Sequence, residues 1–150
     1  MQKRGEMAPF VAFVIRAGWF ALALATQSCG SEKSARGEAH DVLERISRLE
    51  ANATFDDQRA AIAALAALPL EDQGLKAMRD VCLEAHQGLL EALVAQDEVR
   101  KVLDAKAQPS ADELAALTAK TEQAGATRVT AEAQMVRCLE QKREATVRYR

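Results

Sequence analysis

Cysteine, histidine and methionine are the side chains whose types and spacing could do chemistry in this 150-residue chain, and they are few: Cys29, Cys82 and Cys138, His40 and His86, and four methionines. Cys82-Leu83-Glu84-Ala85-His86 sets a thiol and an imidazole one helical turn apart, a spacing that could serve zinc, with Cys138 as a third ligand. A fourth ligand is missing, because His40 belongs to another helix, and a disulfide between the two thiols would remove both from coordination. No metal site is expected. Haem would need Met78 or Met135 with a histidine, but there is no C-x-x-C-H attachment motif and aromatic residues make up only 4% of the chain. The methionines read as core filler, and no cofactor is expected. No Ser-His-Asp grouping, Gly-rich phosphate loop or H-E-x-x-H supports hydrolysis. The acidic pairs Asp56-Asp57, Glu71-Asp72 and Asp97-Glu98 fall in helix first turns or on solvated faces, where helices ordinarily place charge. An enzyme is not expected.

Helices must position these residues. Apolar types supply 49% of the chain, largely through alanine. A core of Leu, Val, Met and Ala suits helix packing and not a β-sandwich. A first helix is expected over about 38–52, with Val42, Ile46 and Leu49 on one face. Thr54 reads as an N-cap, with Asp57 three residues on, for a second helix over about 55–68 that carries Ile62, Leu65 and Leu68 and stops at Pro69. A long helix should follow from about Leu70 to Ala107. Gln108-Pro109-Ser110 breaks it, and Ser110-Ala111-Asp112-Glu113 is a capping box that opens a fourth helix toward Arg148. So short a break makes the two long helices an antiparallel hairpin. The expected fold class is all-α: an antiparallel long-helix hairpin with two shorter N-terminal helices, resembling a four-helix bundle.

The numbering sets the register of that hairpin. The third helix carries a 3-4 spaced row at Leu75, Met78, Cys82, Ala85, Leu89, Ala92, Gln96, Val99 and Leu103. The fourth carries one at Leu114, Leu117, Thr121, Ala124, Arg128, Ala131, Met135, Cys138 and Ala145. In an antiparallel pair folded about Pro109-Ser110, facing positions have a constant sum. Leu103 with Leu117, Val99 with Thr121, Leu89 with Ala131, Ala85 with Met135 and Cys82 with Cys138 all sum to 220. The shared register predicts a Cys82–Cys138 disulfide, with two separate buried thiols as the alternative. Closing a loop of about 57 residues would stabilise by roughly 4 kcal/mol on chain entropy. Gln96, Arg128 and Lys142 interrupt the seam, and Gly125 weakens the fourth helix. Val81, Leu83, Leu90, Leu93 and Val102 widen the apolar stripe of the third helix toward the first two.

The N-terminus has another character. Lys3 and Arg4 are followed by an apolar run from Pro9, broken once by Arg16, whose uninterrupted part is Ala17 to Ala25. That is the length of a signal-peptide h-region and too short for a bilayer, which needs roughly 20 apolar residues. Ala25-Thr26-Gln27-Ser28-Cys29-Gly30 then resembles the lipobox of bacterial lipoproteins, with small Ser28 before the cysteine. Thr26 stands where that family usually has an aliphatic residue, and Gln27 where Ala or Ser is commoner. The resemblance covers about the first 30 residues, and the helical part resembles no known family. It implies diacylglyceryl transfer to Cys29, cleavage before it, acylation of the new N-terminus and a membrane anchor in the cell envelope. Gly30, in place of the Asp that commonly retains such proteins in the inner membrane, implies the outer membrane, facing the periplasm. Ordinary cleavage after Ala23-Leu24-Ala25 is the competing reading. It would leave an exported protein with an odd cysteine, whereas lipidation leaves an even pair.

These readings divide the chain into a signal peptide (1–28), a lipidated cysteine with a short polar tether (29–37) and a helical domain (38–150). Removing residues 1–28, with three cations and one acid, takes the net charge from −2 to −4. Neither value suggests nucleic acid. The expected function is a non-catalytic interaction or structural module that binds an envelope protein. A periplasmic ligand or metal carrier with a pocket between helices is the alternative. The short helices should leave the distal hairpin bare, so Val102, Leu103, Leu114 and Leu117 are the expected docking residues.

Overall fold

A computed structural model describes residues 28–51, 54–105 and 108–150, with side chains from residue 34 on. Among them are four helices and no strand: α1 (Ser28–Ala51), α2 (Phe55–Ala66), α3 (Gln73–Ala105) and α4 (Ala111–Arg148). The all-α architecture is the one expected. The signal segment lies outside the described residues. Cys29 is described only as backbone of α1. The chain divides after Lys33, and the buried core lies in the unit Ser34–Arg150.

Local chemistry sets the helix ends. Thr54 Oγ1 accepts from the Asp57 N–H at 3.1 Å and donates to the Asp57 carboxylate at 2.5 Å, which starts α2. The helix stops three residues before Pro69, and the Ala67 and Leu68 N–H groups close it onto the Ala63 and Leu65 carbonyls at 3.0 and 3.2 Å. Ser110 and Glu113 form both halves of the capping box, with the Ser110 N–H donating to Glu113 at 2.9 Å and the Glu113 N–H donating to Ser110 Oγ at 3.3 Å. Two boundaries differ from expectation. Helix α1 starts at Ser28, so the polar run Ser31–Gly37 continues a helix and is not an extended tether; most of its residues are compatible with helix. Helix α3 starts at Gln73 and not at Leu70, because Asp72 caps it: Asp72 Oδ1 accepts from the Leu75 N–H at 3.0 Å. Leu70 is left in the preceding turn, buried in the core.

The core joins all four helices over part of their length. Val42, Ile46 and Leu49 of α1, Ile62 and Leu65 of α2, Leu75, Met78, Cys82 and Leu90 of α3, and Cys138 and Ala145 of α4 form one buried cluster. Polar contacts fix the helix directions. The Glu38 carboxylate accepts the Glu71 and Asp72 N–H groups at 2.8 and 3.1 Å, and Lys142 donates to Glu50 at 2.8 Å. Helix α1 therefore runs beside α3 in the same direction and opposite to α4. Arg79, early in α3, donates to the Leu68 carbonyl at the end of α2, so α2 runs opposite to α3. The direction alternates throughout.

The alternation leaves a length mismatch. At about 1.5 Å per residue, α3 and α4 span roughly 50 and 57 Å, and α2 only about 18 Å. Helix α2 lines a groove on α3 that ends at Val94, Ala95 and Glu98. Beyond that level, among the described residues, only the ends of α3 and α4 continue.

Candidate functional site

Cys82 and Cys138 are joined in a disulfide, with Cα atoms 4.8 Å apart and both side chains wholly buried. Regular helix periodicity brings them there: α4 buries Ala124, Ala131, Cys138 and Ala145, one residue every seventh position, against α3. Polar pairs along the hairpin keep the same register. Gln134 donates to Glu84 at 2.8 Å, Lys120 pairs with Glu98, and a Cβ on Gly88 would stand 2.8 Å from that of Ala131. Each of these pairs sums to within two of 220. The seam departs from expectation at Thr121, which is exposed, and at Leu89. Leu90 is buried where Leu89 is only half-buried, because it turns toward Ile62 of α2.

The disulfide decides the fate of the sequence's metal candidates. Cys82, His86 and Cys138 offer no thiolate, since both sulfurs are bonded to each other. His86 is half-buried beside a cavity of about 100 Å³ lined by Leu49, Gln58, Ile62, Leu89, Leu90 and Leu93. Its Nε2 is buried and has no hydrogen-bond partner among the described residues. Burial lowers the imidazole below the usual histidine range, Glu50 opposes that shift and Lys142 adds to it. His40 lies elsewhere, on the exposed face of α1 with Asp41 and Glu44, their ligand atoms within 4.8 Å of one another. The i, i+1, i+4 spacing of that group is visible in the sequence. All three residues are solvated, an arrangement common without any ion.

The expected docking residues fall where the hairpin is bare. Val102, Leu103 and Leu114 are 37–46% exposed, Leu117 is half-buried, and none joins the core cluster. Register sets Leu103 opposite Leu117. Beneath them, the Lys120–Glu98 pair bridges the two helices, and the Lys120 hydrogen bond holds the Glu98 carboxyl below its usual range. Asp97 is lowered by hydrogen bonding to Lys101, 2.8 Å away, with Arg100 at 2.5 Å adding to the effect. Glu98 is solvated, and Asp97, though largely covered, pairs with exposed cations, so neither pair carries much stability.

Two features escaped the sequence reading. Asp72 joins two ends of the bundle: besides capping α3, its Oδ2 accepts from the Tyr149 hydroxyl at 2.9 Å. The backbone and tyrosine hydrogen bonds lower the Asp72 carboxyl, while burial and the same bond raise Tyr149. The second is an apolar row on the outer surface of α4, Val129, Val136, Leu139 and Val147. The register arithmetic concerns only the row facing α3 and carries no signal for this one.

No protein-family model, curated protein or solved structure matches this chain. No helix among the described residues is long and apolar enough to cross a membrane.

Proposed function

We propose that this protein is a lipid-anchored component of a bacterial cell envelope, held at Cys29 and facing the periplasm from the outer membrane. Its helical domain is a non-catalytic interaction module. The Cys82–Cys138 bond carries this reading, because it accounts for two of the three cysteines and leaves Cys29, beside Ser28, as the thiol for the lipid. Envelope compartments also supply the oxidising conditions in which such a bond persists. The partner is an envelope protein, and its docking residues are Val102, Leu103, Leu114 and Leu117 at the hairpin tip, where a partner helix can lie along the exposed apolar strip.

Expression of the full chain in a bacterial host tests the address. The wild type should take up labelled fatty acid and partition with membranes, and its Cys82 and Cys138 peptides should be linked in non-reducing mass mapping. Cys29→Ser should lose both the label and the membrane partitioning. A Cys29→Ser protein that stays membrane-bound with residues 1–28 uncut would overturn the lipid anchor. The tip is tested by replacing Val102, Leu103 and Leu117 with polar residues. Crosslinking to envelope proteins should then disappear while helicity is retained, and unchanged crosslinking would exclude the tip.

A further inference from the structure

Helix α4 has a second seam. Every residue of the row Val129, Glu132, Val136, Leu139, Arg143 and Thr146 is exposed, and their spacing alternates three and four. This is the spacing of a and d positions in a coiled coil, repeated over about 26 Å of helix. The row lies about a third of a turn around α4 from the alanines that face α3, and nothing among the described residues covers it. Its valines and leucine are 49–68% exposed, more than most of the hairpin tip. Three apolar side chains on a helix otherwise rich in charge need a reason to face water.

The two charges in the row identify what covers it. Glu132 sits at a d position near one end and Arg143 at an a position near the other. In a parallel pair of α4 helices, Glu132 would meet Glu132 and Arg143 would meet Arg143. In an antiparallel pair, a positions meet d positions and the order of the layers reverses. Val136 then faces Leu139 of the second copy, Glu132 faces Arg143, and Val129 faces Thr146. All three pairings share one twofold axis between Arg137 and Cys138, so each occurs twice. Glu132 already holds Arg128 at 2.7 Å, and a carboxylate can accept from a second cation. Arg143 makes no ion pair among the described residues. The flanking positions add no repulsion: Ala133 lies beside Glu140 of the second copy, and Ala126 beside Val147.

We infer that the outer face of α4 binds the same face of a second copy of this chain, antiparallel, through Val136–Leu139 contacts flanked by Glu132–Arg143 ion pairs. The contact is a single helix pair, so the dimer is a micromolar one, reversible and sensitive to salt. The inference rests on neither the lipid nor the hairpin tip. Its axis crosses α4 and directs the two Ser34 ends oppositely. Two copies anchored in one bilayer would therefore lie along it.

Charge reversal tests the pairing without touching the fold, since both residues are exposed. The full chain in detergent should self-associate in sedimentation velocity across the micromolar range. Glu132→Arg and Arg143→Glu should each weaken association at least about tenfold, and the double variant should return it to within about threefold of wild type. Chains with Val129→Cys should form a disulfide with chains carrying Thr146→Cys, and neither should pair with its own kind. Circular dichroism checks that each variant stays helical. A wild type monomeric throughout that range, a double variant no better than the singles, or self-pairing of Val129→Cys would each overturn the antiparallel dimer. A monomer that loses crosslinks to another envelope protein on Val136→Arg would assign the face to that protein instead.

Discussion

Toward Tyr149, the α3–α4 hairpin is one wall of a four-helix core; toward Pro109, among the described residues, it is two helices packed on each other. Leu75 and Leu103 lie on the same 3-4 row of α3, yet Leu75 is 1% exposed and Leu103 45%. What separates them is coverage. Leu75 lies with Val42 and Ile46 of α1 in one cluster, whereas α2 ends its groove near Glu98 and no described residue of α1 or α2 joins Leu103 in the core. Two antiparallel helices bury one narrow row each, and a third and fourth are needed to bury the stripes beside it. Residue type set which positions could enter a core, and helix length set which of them did.

The sharpest way to break this comparison is to delete apolar volume in each half. Ile46→Ala, in the covered half, should cost about 2–5 kcal/mol, because its wholly buried side chain belongs to the core cluster shared by all four helices. Leu103→Ala, in the bare half, should cost less than about 1 kcal/mol, because its side chain already meets water. Urea denaturation reads both. Equal losses would mean that the two halves are one cooperative core.

A smaller effect with opposite signs comes from the glycines. A methyl on Gly88 would stand 2.8 Å from Cβ of Ala131, so the two helices must move apart. Gly88→Ala should destabilise by about 1–2 kcal/mol, the overpacking cost less the gain in helix propensity. Gly125 has nothing within 4 Å of the same methyl, so Gly125→Ala should stabilise by up to about 1 kcal/mol. Melting temperatures that fall for both would show the bare half to be as tightly packed as the covered one.

The smallest effect is pH-linked and confined to the covered end. Asp72 has its carboxyl lowered from an ordinary 3.8, chiefly by the Leu75 N–H and then by Tyr149. It therefore adds stability above that ordinary value, and the contribution is lost as pH falls through the lower folded value. Tyr149 is raised above 10.0, so its contribution is present below that pH and disappears as pH rises through the folded value. Tyr149→Phe should flatten the alkaline loss and reduce the acid one, measured as stability against pH. An unchanged acid limb would show that the tyrosine hydroxyl adds nothing to what the Leu75 N–H does for Asp72.

Much of this was legible in the residues, for reasons of short range. Helix ends depend on a few neighbouring atoms, so Thr54, Pro69 and the Ser110–Glu113 box located them. Register depends on a single turn and a constant rise per residue, so Cys82 and Cys138 could be paired by counting. The exposure of Val102, Leu103 and Leu114 followed from the lengths of the first two helices. Other features required long-range contact. Asp72 caps α3 and binds Tyr149, 77 positions away, and no local pattern joins a turn residue to the far end of α4. Whether Leu89 or Leu90 faces inward depends on where α2 lies against α3, since both leucines fit an apolar stripe. The outer row of α4 was equally hidden. Its period was written in the sequence, but only the packed fold shows that the domain uses one face of that helix and leaves the other to the solvent.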